Sequence, residues 1–149
     1  MPWPDPISLY GNAVTLAPLA HAHEADLAKA AADGDLPRLW YTTVPTPDKV
    51  RAEIDRRLGL QAKGSMLPFA VIDPASGRAV GMTTYMNIDA TNRRVEIGST
   101  WYAASVQRTG LNTECKYLLL HHAFEDITCV GVEFRTHYLN TQSRRAIER

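Results

Sequence analysis

The sequence predicts a mixed α/β fold, in which a run of antiparallel strands leads into one parallel β-α-β crossover. Three observations predict it. First, three strand-like stretches, Leu67 to Asp73, Arg78 to Ile88 and Arg93 to Tyr102, are separated by turn sequences, Pro74-Ala75-Ser76-Gly77 and Asp89-Ala90-Thr91-Asn92. Second, the last of them is followed by a short glycine-bearing loop, a helix-like run from Leu111 to Asp126 and a β-rich run from Val130 to Tyr138. Third, two stretches of helical character precede all of these.

The elements follow in order. Ala13 to Pro18 alternates weakly and is closed by proline, which suits a short first strand. His21 to Asp33 is alanine-rich with Leu27 on its apolar face, and Gly34 stands where a helix C-terminal glycine would. Thr46-Pro47 supplies an N-cap and an N1 proline for a second helix, with Val50, Ile54, Leu58 and Leu60 at roughly helical spacing up to Gly64. Asp35 to Pro45 is an aromatic, proline-bounded loop between these helices. The three central strands should form an antiparallel meander. The next helix carries Leu111, Cys115, Leu118, Leu119, Ala123 and Phe124 on one broad face, and Asn140 to Arg149 reads as the start of another.

Composition narrows the function. The 149 residues are 45% apolar, which suits a single domain over 1–149 with one core. Lys plus Arg equals Asp plus Glu, and no basic stripe appears, so nucleic acid is not the expected ligand. The start, Met1 to Pro6, has no signal-peptide pattern, and no apolar run approaches the roughly 20 residues that span a bilayer, so the expected location is cytoplasmic and no membrane partner is expected. Cys115 and Cys129 fit neither a disulfide framework nor a zinc pattern, and His121 and His122 diverge by about 100° on a helix, so no metal is expected.

The most telling segment is Gln107-Arg108-Thr109-Gly110-Leu111-Asn112-Thr113. A strand that passes through a tight loop into a helix directs unpaired N–H groups at one spot, at the positive end of the helix dipole, and that spot suits an anion such as a phosphate. Arg108 can add a charge-assisted bond, although a solvated loop arginine reads the same way. Glu114, in the first helical turn, suits the dipole rather than an anion.

This loop resembles the pyrophosphate loop of the GNAT N-acetyltransferases. Arg94-Val95-Glu96-Ile97-Gly98, ahead of Trp101-Tyr102, resembles the Val-Glu-Leu-Gly-Tyr-Trp strand of the branch that contains the ribosomal-protein alanine N-acetyltransferases, and Asn140-Thr141-Gln142-Ser143-Arg144 resembles its Asn-x-x-Ser-(Arg/basic) segment. The three segments stand in the family's order, across nearly the whole chain. Asn112 departs from the usual glycine or alanine. The family also continues through a Leu-Gly turn into two more strands, so the sequence reads as C-terminally truncated. An edge at Val130 to Tyr138 is then expected to need cover, for instance from a homodimer partner.

The resemblance implies transfer of an acetyl group from acetyl-CoA to an amine acceptor, a peptide N-terminus or a small molecule. It implies Glu96 as general base, since an ammonium must lose a proton before it attacks. An ion pair with Arg94 or a cross-strand arginine is the plainer account of Glu96. Gly98-Ser99 permits a bulge that turns later N–H groups toward the cofactor, and Trp101, Tyr102 and Ala103 would pair with the pantetheine arm as an added strand does. Ser143 would protonate the leaving thiolate, with Tyr138 as a second candidate, and Asn140 would cap its helix and touch CoA. Gln107, Arg108, Thr109, Gly110, Leu111, Asn112 and Thr113 would hold the pyrophosphate. Asp33, Asp35, Trp40 and Tyr41 border the expected acceptor site, where an ordinary aromatic anchor beside solvated aspartates explains them as well. The competing reading is a catalytically inactive CoA-binding or dimerising module. A nucleotide hydrolase is disfavoured, because no Gly-Lys-Ser/Thr follows the loop.

Overall fold

The computed structural model describes residues 4–32, 45–106 and 110–134. Among these residues six strands follow one another across a single sheet: β1 (Leu9–Tyr10), β2 (Thr15–Pro18), β3 (Leu67–Asp73), β4 (Arg78–Asp89), β5 (Arg94–Tyr102) and β6 (Gly131–Phe134). Neighbours are antiparallel up to β5, and β5 pairs with β6 in parallel, from Arg94↔Gly131 to Ile97↔Phe134. The meander and the parallel crossover are as the sequence predicts. The two-residue β1 is not foreseen, since Leu9-Tyr10 is too short to show a period.

Among the described residues three α-helices cover the sheet: α1 (Glu24–Ala32), α2 (Val50–Ala62) and α3 (Leu111–His121). The first two are each preceded by a 3₁₀ turn, His21–His23 and Pro47–Lys49; Thr46 and Pro47 open the second of these turns, where Thr46 makes no side-chain capping bond, and the N-cap position of α2 itself falls to Lys49. Gly64, just past α2, has φ +80, the left-handed conformation that glycine adopts without a Cβ penalty. On one face α3, with Ala123 of the turn that follows it, packs Leu111, Cys115 and Leu119 against Leu67, Phe69, Tyr85, Val95 and Ile97. On the other, α1 and α2 pack Leu27, Ala30, Ala31, Val50 and Ile54 against Ala70, Met82 and Trp101.

Two details of α3 differ from the sequence reading. The helix does not run regularly to Asp126: residues His122–Asp126 form a π-helical turn, closed by Ile127 N–H donating to the His122 carbonyl at 3.0 Å. Phe124 is 47% exposed, because it lies about 140° around the helix from Leu119, outside the stripe that Leu111, Cys115, Leu119 and Ala123 define at i+4. The two histidines do diverge. His121 is exposed beside Tyr117, while His122 is buried against Tyr85 and paired with Asp126 at 2.8 Å. Both cysteines are free and buried.

Candidate active site

Strand β5 organises the candidate site. Val95 and Ile97 lie in the core under α3, so Glu96 points to the opposite face, the side of α1 and α2. The residue is 4% exposed, and its Oε1 accepts a bond from Asn87 Nδ2 at 3.0 Å. Asn87 sits on a β4 bulge with φ +47, a backbone setting that asparagine tolerates better than most residues. This asparagine could not be foreseen from the sequence, in which Arg94 and cross-strand arginines were the evident partners. A Cβ at Gly98 would stand 2.9 Å from Met86 Sδ, closer than a side chain tolerates, and 3.7 Å from Glu96 Oε2, so glycine at 98 lets Met86 pack beside the carboxylate.

The bulge expected at Gly98-Ser99 is present. Pairing with β4 runs Thr84↔Gly98 and then Met82↔Trp101, so one extra residue is accommodated on β5, and Ser99 takes φ +49. Beyond the bulge the facing of the strand is inverted: Trp101 lies in the core on the α1 and α2 side and Tyr102 in the core under α3. The Trp101 indole N–H is buried and meets no acceptor. Ala103 N–H donates to the Val80 carbonyl at 2.7 Å, and its own carbonyl accepts from Val106 at 3.1 Å. A ligand at Ala103 is therefore left only the second lone pair of that carbonyl. Strands β4 and β5 approach closely here, since a Cβ on Gly81 would collide with the Trp101 carbonyl.

The start of α3 forms the other half. Gly110 occupies the N-cap with φ −70, an ordinary right-handed value, and a Cβ there would meet none of the described atoms within 4 Å. Neither backbone conformation nor packing among the described residues therefore demands glycine at this position. Leu111 is buried in the core and Thr113 is exposed, while Asn112 Oδ1 accepts from Lys116 Nζ at 3.4 Å. Glu114 has a role the sequence did not show: its two carboxylate oxygens accept the N–H groups of Asn12 and Ala13 at 2.8 and 2.6 Å, latching the β1–β2 hairpin to α3. Burial pushes the Cys115 thiol up to about 12, beside the Tyr102 hydroxyl, so this cysteine is no nucleophile near neutral pH.

The structure thus brings Glu96, Trp101 and Tyr102 onto one strand, with Ala103 just past its end and Gly110 to Thr113 at the start of α3. Gln107, Arg108, Thr109, Asn140 and Ser143 lie outside the described residues, as do Tyr138, Asp33, Asp35, Trp40 and Tyr41. No cluster of three metal-ligating side chains occurs among the described residues, and no helix among them is long and apolar enough to cross a membrane. Two cavities of about 640 and 390 Å³ lie away from this strand, beside Pro4 and Pro6.

Comparison with known proteins identifies the family and the fold. Residues 13–149 match the family described as acetyltransferase (GNAT) domain. A GCN5-related N-acetyltransferase from Brucella melitensis is 33% identical and superposes with a TM-score of 0.83, over 99% of this chain and 67% of that one. Mycobacterium smegmatis RimJ in complex with CoA-disulfide superposes at 0.76 with 23% identity, over 98% of this chain and 74% of its own. The microcin C7 self-immunity acetyltransferase MccE, in complex with acetyl-CoA and AMP, superposes at 0.77 with 15% identity, over 93% and 77%. At those identities the last two show a shared fold. No curated protein matches the chain.

Proposed function

Because the chain belongs to the GNAT acetyltransferase family, we propose that it transfers the acetyl group of acetyl-CoA to a primary amine, of a peptide N-terminus or a small molecule, by direct attack. The observation that carries this reading is Glu96, buried on β5 two residues before the Ser99 bulge begins at Gly98, with Asn87 Nδ2 donating to one carboxylate oxygen at 3.0 Å. A carboxylate so held takes a proton from the acceptor ammonium, directly or through one water. The freed nitrogen lone pair attacks the thioester carbon, and negative charge develops on the acetyl oxygen, where N–H donors of β5 near its bulge would stabilise it. Collapse breaks the carbon–sulfur bond, and Ser143 is the proposed donor of a proton to the departing thiolate.

In the same reading, Gln107 to Thr113 cradle the pyrophosphate at the positive end of α3, the backbone of Trp101, Tyr102 and Ala103 pairs with the pantetheine arm and Asn140 touches CoA. Gly110 supports this. No described residue comes within 4 Å of a Cβ built at Gly110, which leaves room for a ligand to lie against its Cα. The complexes of RimJ with CoA-disulfide and of MccE with acetyl-CoA lend the cofactor further support. The deciding experiment is calorimetric titration with acetyl-CoA, followed by an amine screen that monitors free thiol release. Saturable binding with acetyl transfer is expected; binding without transfer to any peptide or small amine would favour the inactive CoA-binding module instead.

A further inference from the structure

Arg57 of α2 has no exposed surface. Its Nε donates to Glu53 Oε2 at 2.8 Å, its Nη2 donates to the Ser99 carbonyl at 2.9 Å, and its Nη1 meets no acceptor. Burying a guanidinium is costly unless its bonds are well placed, and leaving one nitrogen unpaired adds to that cost. Core packing alone would be served by an apolar side chain. What the charge reaches is the bulge of β5, at a non-glycine residue with φ +49, a strained conformation that persists only where its surroundings enforce it. The Ser99 side chain adds little, with only a 3.5 Å contact from its hydroxyl to Met86 Sδ.

We propose that Arg57 is a positioning residue for acyl transfer: by holding the Ser99 carbonyl it fixes the bulge that places Glu96 and Trp101 on one face of β5. This rests on the acetyltransferase reading above. The bond also polarises the peptide between Ser99 and Thr100, strengthening the Thr100 N–H as a donor near the site. Glu53 aims the guanidinium and is itself held by Arg56, whose Nε and Nη2 lie 2.7 and 2.8 Å from its carboxylate oxygens. Removing Arg57 would therefore not orphan Glu53, and Arg57→Gln should fold.

The test places Arg57→Gln in two backgrounds, wild type and Ser99→Gly. Glycine adopts positive φ without steric penalty, so in S99G the bulge no longer needs to be held. In the wild-type background R57Q is expected to lower kcat about 10- to 100-fold while the KM for acetyl-CoA stays within about 3-fold. In the S99G background the same replacement should cost less than about 3-fold, a coupling that a merely structural arginine would not show. Arg57→Lys, which keeps the charge but not the fork, should fall between and serves if R57Q does not fold. Equal losses in both backgrounds would overturn the role. Amide exchange at Thr100 and Trp101 reads the bulge independently of turnover: faster exchange in R57Q is expected, and unchanged exchange overturns the proposal whatever the activity. A wild-type chain that neither binds acetyl-CoA nor acetylates any amine would instead overturn the functional reading.

Discussion

Glu96 and Trp101 share a face of β5 although they are five residues apart. In a regular strand an odd separation puts two side chains on opposite faces. Here the extra residue at Ser99 restores the match, so that Glu96 and Trp101 both face α1 and α2, while Val95, Ile97 and Tyr102 pack beneath α3. One irregular residue thus decides which side chains can act together.

If Glu96 is the general base, Glu96→Gln keeps its shape and its bond from Asn87 but cannot take a proton. Its kcat is expected to fall about 10²- to 10⁴-fold. Acetyl-CoA affinity, measured by calorimetry, should stay within about 3-fold, because the loss lies in the chemical step. Activity within 2-fold or so of wild type would remove Glu96 from the mechanism.

Gly110 is expected to matter more to the ligand than to the fold. Gly110→Val adds bulk where the described chain is open, at a φ that valine accepts. Valine is a poorer N-cap than glycine, so the melting temperature should fall by about 2 to 4 °C and no more, while acetyl-CoA binding should weaken at least about 10-fold if the pyrophosphate lies there. Unaltered affinity would place the phosphates elsewhere.

Stability at acid pH should depend on Glu53. Burial alone would raise its pKa, but the hydrogen bonds and charges of Arg56 and Arg57 outweigh burial and leave it below the ordinary carboxylate value. A depressed folded pKa stabilises the protein above the unfolded value of about 4.3, and that contribution is lost as pH falls through the folded value. Glu53→Gln should therefore melt at least about 3 °C below wild type at pH 7, and the gap should close as pH falls below about 4. A gap that is constant across this range would assign the loss to packing.

Much of the fold was legible because the strands Leu67–Asp73, Arg78–Asp89 and Arg94–Tyr102 are bounded by strong turn sequences, and Gly64 marks the end of α2 with its positive φ. The bulge at Ser99 was legible from its glycine neighbour. What the sequence hid are partners made across long separations. Asn87 beside Glu96 depends on a second bulge with no glycine to mark it, and the buried Arg57 looks like any solvated arginine of a polar helix. Local periodicity carries no information about which distant carbonyl a guanidinium will reach. The π turn after α3 was equally silent, since its residues fit a regular helix by composition.

The latch between Glu114 and the N–H groups of Asn12 and Ala13 closes a separation of more than a hundred residues. A contact that spans so much chain can form only once the intervening strands are in place, so it belongs to the late side of the folding barrier. Its loss should then shorten the lifetime of the native state and leave the speed of its formation alone. In stopped-flow experiments Glu114→Gln is expected to unfold about 5- to 30-fold faster and to refold within about 2-fold of wild type. Slower refolding would mean that the first hairpin docks early, and that the start of α3 is assembled on it instead of being fastened to it at the end.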